Sequence, residues 1–246
     1  MPGAAAGATE MHRPALSDRR GFGLITVLLW LSLLATAALG VALATSAEPS
    51  ATSALHDRLR LVRAAESAVS LAVSMLAAQA DWTLVPGAGL ASPFTDGAPG
   101  PRVIAGWPFD LVTETRMRTC GRVVPCDDAS TSSAAAGRPW GVRNPRWQLV
   151  VHQPLADLDA VAARACPCYL VAWVADDPAD DDGDPDRDAP PGTAGHGVLL
   201  VHGAAVGAQG ALAEVEALVA QPCRRSNLAC AGIRVQSWGP VREAVP

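Results

Sequence analysis

The longest apolar stretch of the chain is FGLITVLLWLSLLATAALGVALATSA, residues 22–47, which contains no charged side chain. As an α-helix it would extend for roughly 39 Å, enough to cross the hydrocarbon core of a bilayer, which is about 30 Å thick. Arg13, Arg19 and Arg20 precede it, and positive charge before a first span favours a cytoplasmic N-terminus. The pattern therefore predicts one membrane-spanning helix, with the chain that follows it outside the cytoplasm.

The next segment, residues 48–82, has the spacing of an amphipathic helix. Its apolar positions recur every three, four or seven residues, and Glu66 falls on the same face. These positions are Leu55, Leu59, Val62, Val69, Val73 and Leu76. Pro49 is the only residue between the two segments that would kink a helix. The sequence predicts a single helix from Phe22 to about Gln79, roughly 87 Å long.

Three interpretations of the N-terminal segment compete. A secretory signal peptide would be cut near Ala42-Leu43-Ala44, because small residues mark such sites. A twin-arginine signal is suggested by DRRGFGL, residues 18–24. A retained membrane helix is favoured by length, since the apolar region of a signal peptide has about 7–15 residues.

The remainder of the chain reads as a β-rich head. Short runs with strand-like composition cover residues 110–117, 146–152, 168–175, 198–206 and 232–238. Residues 213–220 are ambiguous: their composition favours a helix, but Val215, Ala217 and Val219 alternate with glutamates after a possible turn at 207–210, as in a strand. Residues 86–101 and 127–145 read as a loop and a polar insertion. The predicted fold class is α+β, a long N-terminal helix packed on an antiparallel sheet.

The charged residues of the chain exclude several kinds of function. All 19 basic residues of this 246-residue chain are arginine, which excludes a P-loop lysine, a Schiff-base lysine and Ser-Lys catalysis. The net charge is −5, and residues 176–188 alone contribute eight aspartates and one arginine. The sequence has no basic stripe interleaved with aromatics, so we expect no binding to nucleic acid.

The acidic loop, residues 176–188, is the candidate metal site. Asp182, Asp184, Asp186 and Asp188 alternate, so their carboxylates could converge on calcium, a hard cation that prefers oxygen ligands. The EF-hand pattern fails because Pro178 stands where its first ligand belongs. The alternative is a solvated loop kept extended by charge repulsion. No other cofactor is expected.

An even number of cysteines after a membrane segment indicates disulfides in an oxidising compartment. They are Cys120, Cys126, Cys166, Cys168, Cys223 and Cys230. The spacings 120/126 and 223/230 suit local loop closure, whereas we expect no bond within Cys166-Pro-Cys168, because neighbouring extended residues point apart. The pairing as a whole stays open.

Nothing in the sequence indicates catalysis, and we expect the protein not to be an enzyme. The motifs HExxH and GxSxG are absent, and no carboxylate pair suits acid–base chemistry. His152 and His202 lie on strand-like runs and are interpreted as core or surface residues. Most of the tryptophans of the head are expected to pack in its core.

RRGF followed by a long apolar helix resembles the type III signal of type IV pilin-like proteins. The stretch DRLRLVRAAESAVSLAVSML, residues 57–76, resembles the helix of PilX-type minor pilins and of the large minor pseudopilin of type II secretion. The segments WVADDPADDDGDPDRD, GHGVLLVHGAAVG and GIRVQSWGPVRE resemble the C-terminal half of PilX-like pilus assembly proteins more loosely. Major pilins carry glutamate as the fifth mature residue, where this chain has Thr26, so the resemblance points to a minor subunit.

The resemblance implies a leader peptide at 1–21, cut by prepilin peptidase between Gly21 and Phe22, with methylation of the new amine. It implies an assembly helix at 22–47, its amphipathic continuation at 48–82, and an extracytoplasmic head at 83–246. The expected partners are other pilin or pseudopilin subunits, and the expected location is the inner membrane, with the head in the periplasm or on an extracellular pilus.

Two functional alternatives stay open. Within the same class, the chain would be a minor pseudopilin of type II secretion and not a subunit for priming, tip placement or adhesion of a pilus. In another class, it would be a secreted binding protein or hydrolase with a cleaved signal peptide.

Overall fold

A computed structural model describes residues 20–88, 90–135, 146–177, 184, 186–188, 195–221 and 232–241. The chain forms two units, Met1–Ala54 and Leu55–Pro246, and each is described by itself. Helix α1, Arg20–Ala77, contributes to both units. Its bounds lie within two residues of those predicted, and Pro49 is helical.

In the first unit, the segment Gly23–Ala42 is exposed throughout and is long and apolar enough to cross a membrane. Two of its hydroxyl groups bond to carbonyls of the same helix. Ser32 Oγ donates to the Leu29 carbonyl at 2.8 Å, and Thr36 Oγ1 donates to the Leu33 carbonyl at 2.9 Å. Such internal bonds remove the cost of placing a hydroxyl in an apolar environment.

The second unit is built on a five-stranded antiparallel sheet with the order β3-β4-β5-β6-β7. The strands are β3 Gln148–Pro154, β4 Tyr169–Asp176, β5 Val198–Val206, β6 Leu212–Ala220 and β7 Arg234–Pro240. Four of them correspond to predicted strand runs, and the ambiguous 213–220 segment is a strand. Its predicted alternation is observed, because Val215, Ala217 and Val219 are buried while the residues between them are partly exposed.

One face of the sheet is covered by the second half of α1. The buried residues of the helix are Leu61, Ala64, Ala65, Ala68, Val69, Ala72, Met75 and Leu76. They follow the three- and four-residue spacing of a helix face, and half of them are alanine, so the helix can approach the sheet closely. The predicted apolar face is confirmed in part: Val69 and Leu76 are buried and Val62 and Val73 pack against the core. Leu55 and Leu59 are 58% and 51% exposed, because the buried face is rotated towards the alanines.

The other face is covered by helix α3, Leu111–Cys120, and by a hairpin of β1 Pro101–Ile104 and β2 Trp107–Asp110. The strand prediction for 110–117 was wrong. Asp110 caps the helix, because its carboxylate accepts hydrogen bonds from the Val112 and Thr113 amides at 2.9 and 3.2 Å. Gly121 ends it in the left-handed conformation that glycine favours. These caps outweigh the β-propensity of the threonines and valine.

Three shorter α-helices are α2 Val85–Ala88, α4 Asp128–Ala135 and α5 Ala162–Ala165, and two 3-10 helices cover Leu155–Asp157 and Ala208–Gly210. The segment predicted as the 86–101 loop contains the end of α2 and the start of β1, and the 127–145 insertion contains α4. Residues 136–145 lie outside the described part of the chain.

The two ends of the sheet are contacted by different parts of the chain. The Leu155–Cys166 connection leaves and enters the sheet where Pro154 pairs with Tyr169. Leu61 of α1 lies at this end against Gly207, whereas Gln79 at the other end accepts a hydrogen bond from Gln221 Nε2 at 3.2 Å. Helix α1 therefore passes over the sheet from one end to the other.

Candidate functional site

The predicted processing site lies at the start of α1. Because the helix begins at Arg20, Gly21 and Phe22 belong to its first turn. The side chains of residues 20–22 lie outside the described part of the structure. Cleavage between Gly21 and Phe22 stays a prediction.

The acidic loop leaves the sheet after Asp176 and returns before β5, and three of its four predicted calcium ligands are described. Asp186 Oδ2 pairs with Arg146 Nη1 at 2.5 Å, and Arg146 also pairs with Asp128. Asp184 is exposed, and its Oδ1 accepts a hydrogen bond from the Asp186 amide at 3.1 Å. Arg146 therefore holds the loop at Asp186, whereas Asp184 is exposed.

Asp188 has a different environment from the other two described aspartates. Its side chain is fully buried, and its two oxygens accept from the Gly197 amide at 2.9 and 2.8 Å. His196 Nδ1 lies 3.2 Å from Oδ2 of the same carboxylate. Asp188 therefore fastens the end of the loop to the turn that precedes β5.

These partners do not bring Asp184, Asp186 and Asp188 together. Within the ranges that the structure describes, no group of three or more His, Cys, Asp or Glu side chains could hold a metal ion. Asp182 lies outside those ranges. Calcium binding by the loop stays a prediction, and calorimetric titration of the full chain with calcium tests it, since no heat of binding would exclude it.

Two disulfides are described. Cys120 and Cys126 are bonded, as their spacing predicted. Cys166 and Cys168 are also bonded, which contradicts the expectation that they could not be. The chain is not extended there: the Cys168 amide donates to the Cys166 carbonyl at 2.7 Å across Pro167, a three-residue turn that brings the Cα atoms to 5.2 Å. Cys223 and Cys230 lie outside the described residues.

A partly buried polar cluster, which the sequence did not predict, joins α3 to the face of the sheet that α3 covers. Arg118 Nη1 lies 2.7 Å from His202 Nε2, and Arg118 Nη2 is ion-paired with Glu214. His202 Nε2 also lies 3.4 Å from Glu214 Oε1, and His202 Nδ1 faces Glu216 Oε2 at 3.7 Å. Sheet register places His202 opposite Glu216 and thereby aligns these groups.

Aromatic rings enclose this Arg118 cluster. The guanidinium of Arg118 lies 4.2 Å from the ring centroid of Trp173, whose Nε1 donates to Thr115 Oγ1 at 2.8 Å. Trp147 meets the His202 ring edge-on, with 5.7 Å between centroids. The Arg118 and Glu214 side chains are 15% and 24% exposed, so their attraction is screened less than that of a pair in water.

The environment of the cluster changes the pKa of two nearby carboxyl groups. Burial alone would raise the pKa of Glu214, but the hydrogen bond from His202 and the charge of Arg118 outweigh it and lower that pKa to about 2. Burial raises the pKa of Glu114 on α3, where the charge of Arg118 opposes the shift without overcoming it. Glu214 is therefore held ionised by its partners.

A second cluster secures the edge strand β3. Residues 94–96 pair with this strand: the His152 amide donates to the Phe94 carbonyl and the Asp96 amide to the His152 carbonyl, each at 3.0 Å. The His152 ring lies 3.1 Å from Asp96, and Arg102 Nη2 donates to Asp96 at 2.8 Å. Although burial opposes it, this pairing lowers the pKa of Asp96 to about 2. In both clusters the arginines and histidines bind carboxylates of the same head, which stabilises its fold.

The tryptophan prediction holds in part. Trp82, Trp147 and Trp173 are buried, and Trp82 Nε1 donates to the Leu76 carbonyl at 3.0 Å. Trp107 and Trp238 are 48% and 41% exposed. Trp140 and His12 lie outside the described residues. His152 and His202 are both core residues, in line with their interpretation from the sequence.

Comparisons with protein-family models, with curated proteins and with solved structures found no match.

Proposed function

We propose that this protein is a minor pilin-like subunit that assembles, primes or caps a fibre of the type IV pilus class. The observation that carries the proposal is the composition of α1. One helix supplies an exposed apolar stretch, Gly23–Ala42, and then the alanine-rich face that forms part of the core of the head. A helix of this kind connects a folded head to an apolar environment, either a membrane or the apolar helices of other subunits.

The head supports a structural role. It is an α+β unit with a five-stranded antiparallel sheet, a layout compatible with a pilin-like subunit. Its described disulfides suit an oxidising compartment. The apolar stretch is compatible with single-pass anchoring, and we propose that the head lies outside the cytoplasm.

In this proposal, cleavage after Gly21 frees Phe22 as the first residue of the assembly helix. The apolar stretch then packs among the corresponding helices of other subunits, and the head selects its neighbours. Thr26 occupies the fifth position of the cut chain, where it brings no charge into the packed helices. A pseudopilin of type II secretion would use the apolar stretch and the head in the same way.

A fibre-shearing experiment on the source cells tests the proposal. Mechanical shearing should release the protein with surface fibres, and Leu28→Asp in the apolar stretch should remove it from that fraction. Gln236→Asp, which changes an exposed position of the head, is the matched control and should leave it there. A protein found free in the medium, and equally abundant with either variant, would contradict the proposal and favour a secreted one.

A further inference from the structure

The disulfide between Cys166 and Cys168 closes the smaller of the two rings that the structure describes. Its cysteines have a sequence separation of 2, compared with 6 for Cys120 and Cys126. The backbone of the ring consists of planar peptide units, and Pro167 fixes one of the remaining torsions. Few torsions are left to adapt to the geometry that a disulfide prefers, so opening the ring relieves a torsional cost. A disulfide in so small a ring is therefore expected to be reduced more readily than one in a wider loop.

One cysteine of the pair can be reached from solvent through a groove. Cys166 lines this groove, which encloses about 310 Å³ between α1 and the Leu155–Cys166 connection. Ala162 and Ala165 of α5 line it as well, and they give it an apolar wall. Cys168 does not line the groove and is 4% exposed, within the core that α1 covers. A thiol that enters the groove therefore meets Cys166 and not Cys168.

Backbone hydrogen bonds hold both cysteines in place independently of the disulfide. The Cys166 amide donates to the Ala162 carbonyl at 3.0 Å, and the Leu155 amide donates to the Cys168 carbonyl at 2.9 Å. Strand β4, which begins directly after Cys168, is paired on both sides by β3 and β5. In the chain-entropy model, the shortest loops contribute least to the stability of the fold. We therefore expect the head to stay folded whether the pair is oxidised or reduced.

We propose that Cys166 and Cys168 form a redox-active pair, which exchanges with a low-molecular-weight thiol that enters the groove. The volume of the groove is at the lower end of the range for small-molecule sites, which suits a small thiol better than a protein. The pair would act as a thiol oxidant outside the cytoplasm. The inference does not rest on cleavage after Gly21 or on membership of a pilus.

The exchange takes place in two steps that balance. A thiolate first attacks Cys166 Sγ, the bond between the two cysteines breaks, and Cys168 leaves as a thiolate that takes a proton from water. A second thiolate then attacks the sulfur of the bound thiol, which releases Cys166 as a thiolate that is protonated in turn. Two thiols are oxidised to one disulfide, and the cysteine pair gains the two electrons.

Equilibrium titration of the full chain with glutathione and glutathione disulfide, in a neutral detergent, tests the pair. Samples are quenched with acid, alkylated and digested, and mass spectrometry gives the reduced fraction at each cysteine. The controlling quantity is the squared glutathione concentration divided by that of its disulfide. We expect Cys166 and Cys168 to be half reduced at a value at least about ten-fold lower than Cys120 and Cys126 require. The second disulfide is thus an internal control in every sample.

Single variants identify the sulfur that is attacked. Cys168→Ser leaves Cys166 as a thiol in the groove, where glutathione disulfide should convert it to a mixed disulfide with one glutathione. That product is the intermediate of the proposed exchange. Cys166→Ser leaves Cys168 in the core and is the matched control, which should be modified at least about ten-fold more slowly. Circular dichroism verifies that both variants are folded.

Three results would overturn the proposal. The first is a Cys166–Cys168 bond that resists reduction at least as well as the Cys120–Cys126 bond, as a structural disulfide would. The second is equal rates of modification in the two single variants, because the groove would then give no selective access. The third is a peptide map of the unreduced protein in which either cysteine is bonded to a different one. Fibre shearing and N-terminal processing are measured separately, so each of these results leaves the proposed function standing.

Discussion

Gly203 of strand β5 lies against Val69 of helix α1 so closely that no side chain fits between them. A methyl group at position 203 would lie 2.5 Å from Val69 Cγ2 and 2.7 Å from the Ala65 carbonyl oxygen. The second of these contacts is with backbone, which cannot move aside by a change of rotamer. The helix and the sheet therefore meet at van der Waals distance at this point, with alanines on either side.

Gly203→Ala is expected to destabilise the head by about 2 kcal/mol, because overpacking forces the helix away from the sheet. Urea unfolding followed by tryptophan fluorescence in detergent measures the change. Gly239→Ala in β7 is the control, since no atom lies within 4 Å of the methyl group that it would add. Equal stabilities for the two variants would contradict the close approach.

Arg118→Ala is expected to cost about 3 kcal/mol of unfolding free energy, because it leaves Glu214 partly buried without its cationic partner. Arg58→Ala, at an exposed arginine on α1, should change stability by less than about 0.5 kcal/mol. A double-mutant cycle with Glu214→Gln separates the pairing from the loss of packing on Trp173. Additive single effects in that cycle would show that the two residues are not coupled.

The pKa of Glu214 predicts a specific dependence of stability on pH. Folding lowers this pKa from 4.5 to about 2, so the ionised carboxylate adds stability above pH 4.5. That contribution is lost as the pH falls from 4.5 towards 2. Wild type should therefore lose more stability over this interval than Glu214→Gln does, as measured by urea midpoints. Parallel pH profiles would contradict the assigned ion pair.

Removing the Cys120–Cys126 disulfide should destabilise the head modestly. The bond closes a loop with a sequence separation of only 6, so in the chain-entropy model it contributes about 2 kcal/mol. Cys120→Ser with Cys126→Ser should lower the urea midpoint accordingly. If the two cysteines had other partners in the native protein, peptide mapping without reduction would recover them in different peptides.

The elements that the sequence predicted well are those in which a periodic pattern and burial agree. In β6, Val215, Ala217 and Val219 pack in the core under α1 while the residues between them are partly exposed, so the alternation was a correct signal in a segment whose composition favours helix. The long helix was predicted equally well, but its buried face only in part. A pattern based on large side chains found Val69 and Leu76, missed the alanines between them, and included Leu55 and Leu59, which are exposed.

The rest depended on contacts distant in sequence. Arg118 and His202 are 84 residues apart, and their pairing follows from α3 crossing a sheet whose register no local pattern reveals. Because residues 110–117 were predicted as a strand, α3 was not predicted, and neither was the Arg118 cluster that depends on it. The Cys166–Cys168 bond was missed because the turn at Pro167 was treated as extended chain. A capping signal was present in Asp110 and Gly121, which flank the helix.

The central claim is that this chain is processed as a pilin-like subunit, and the N-terminal residue of the mature protein tests it most directly. N-terminal sequencing with mass spectrometry, on protein isolated from membranes of the source cells, should give Phe22 with a methylated amine. A first residue near Thr45 would contradict the claim and identify a cleaved signal peptide. An intact Met1 would contradict it as well and leave a plain membrane-anchored protein.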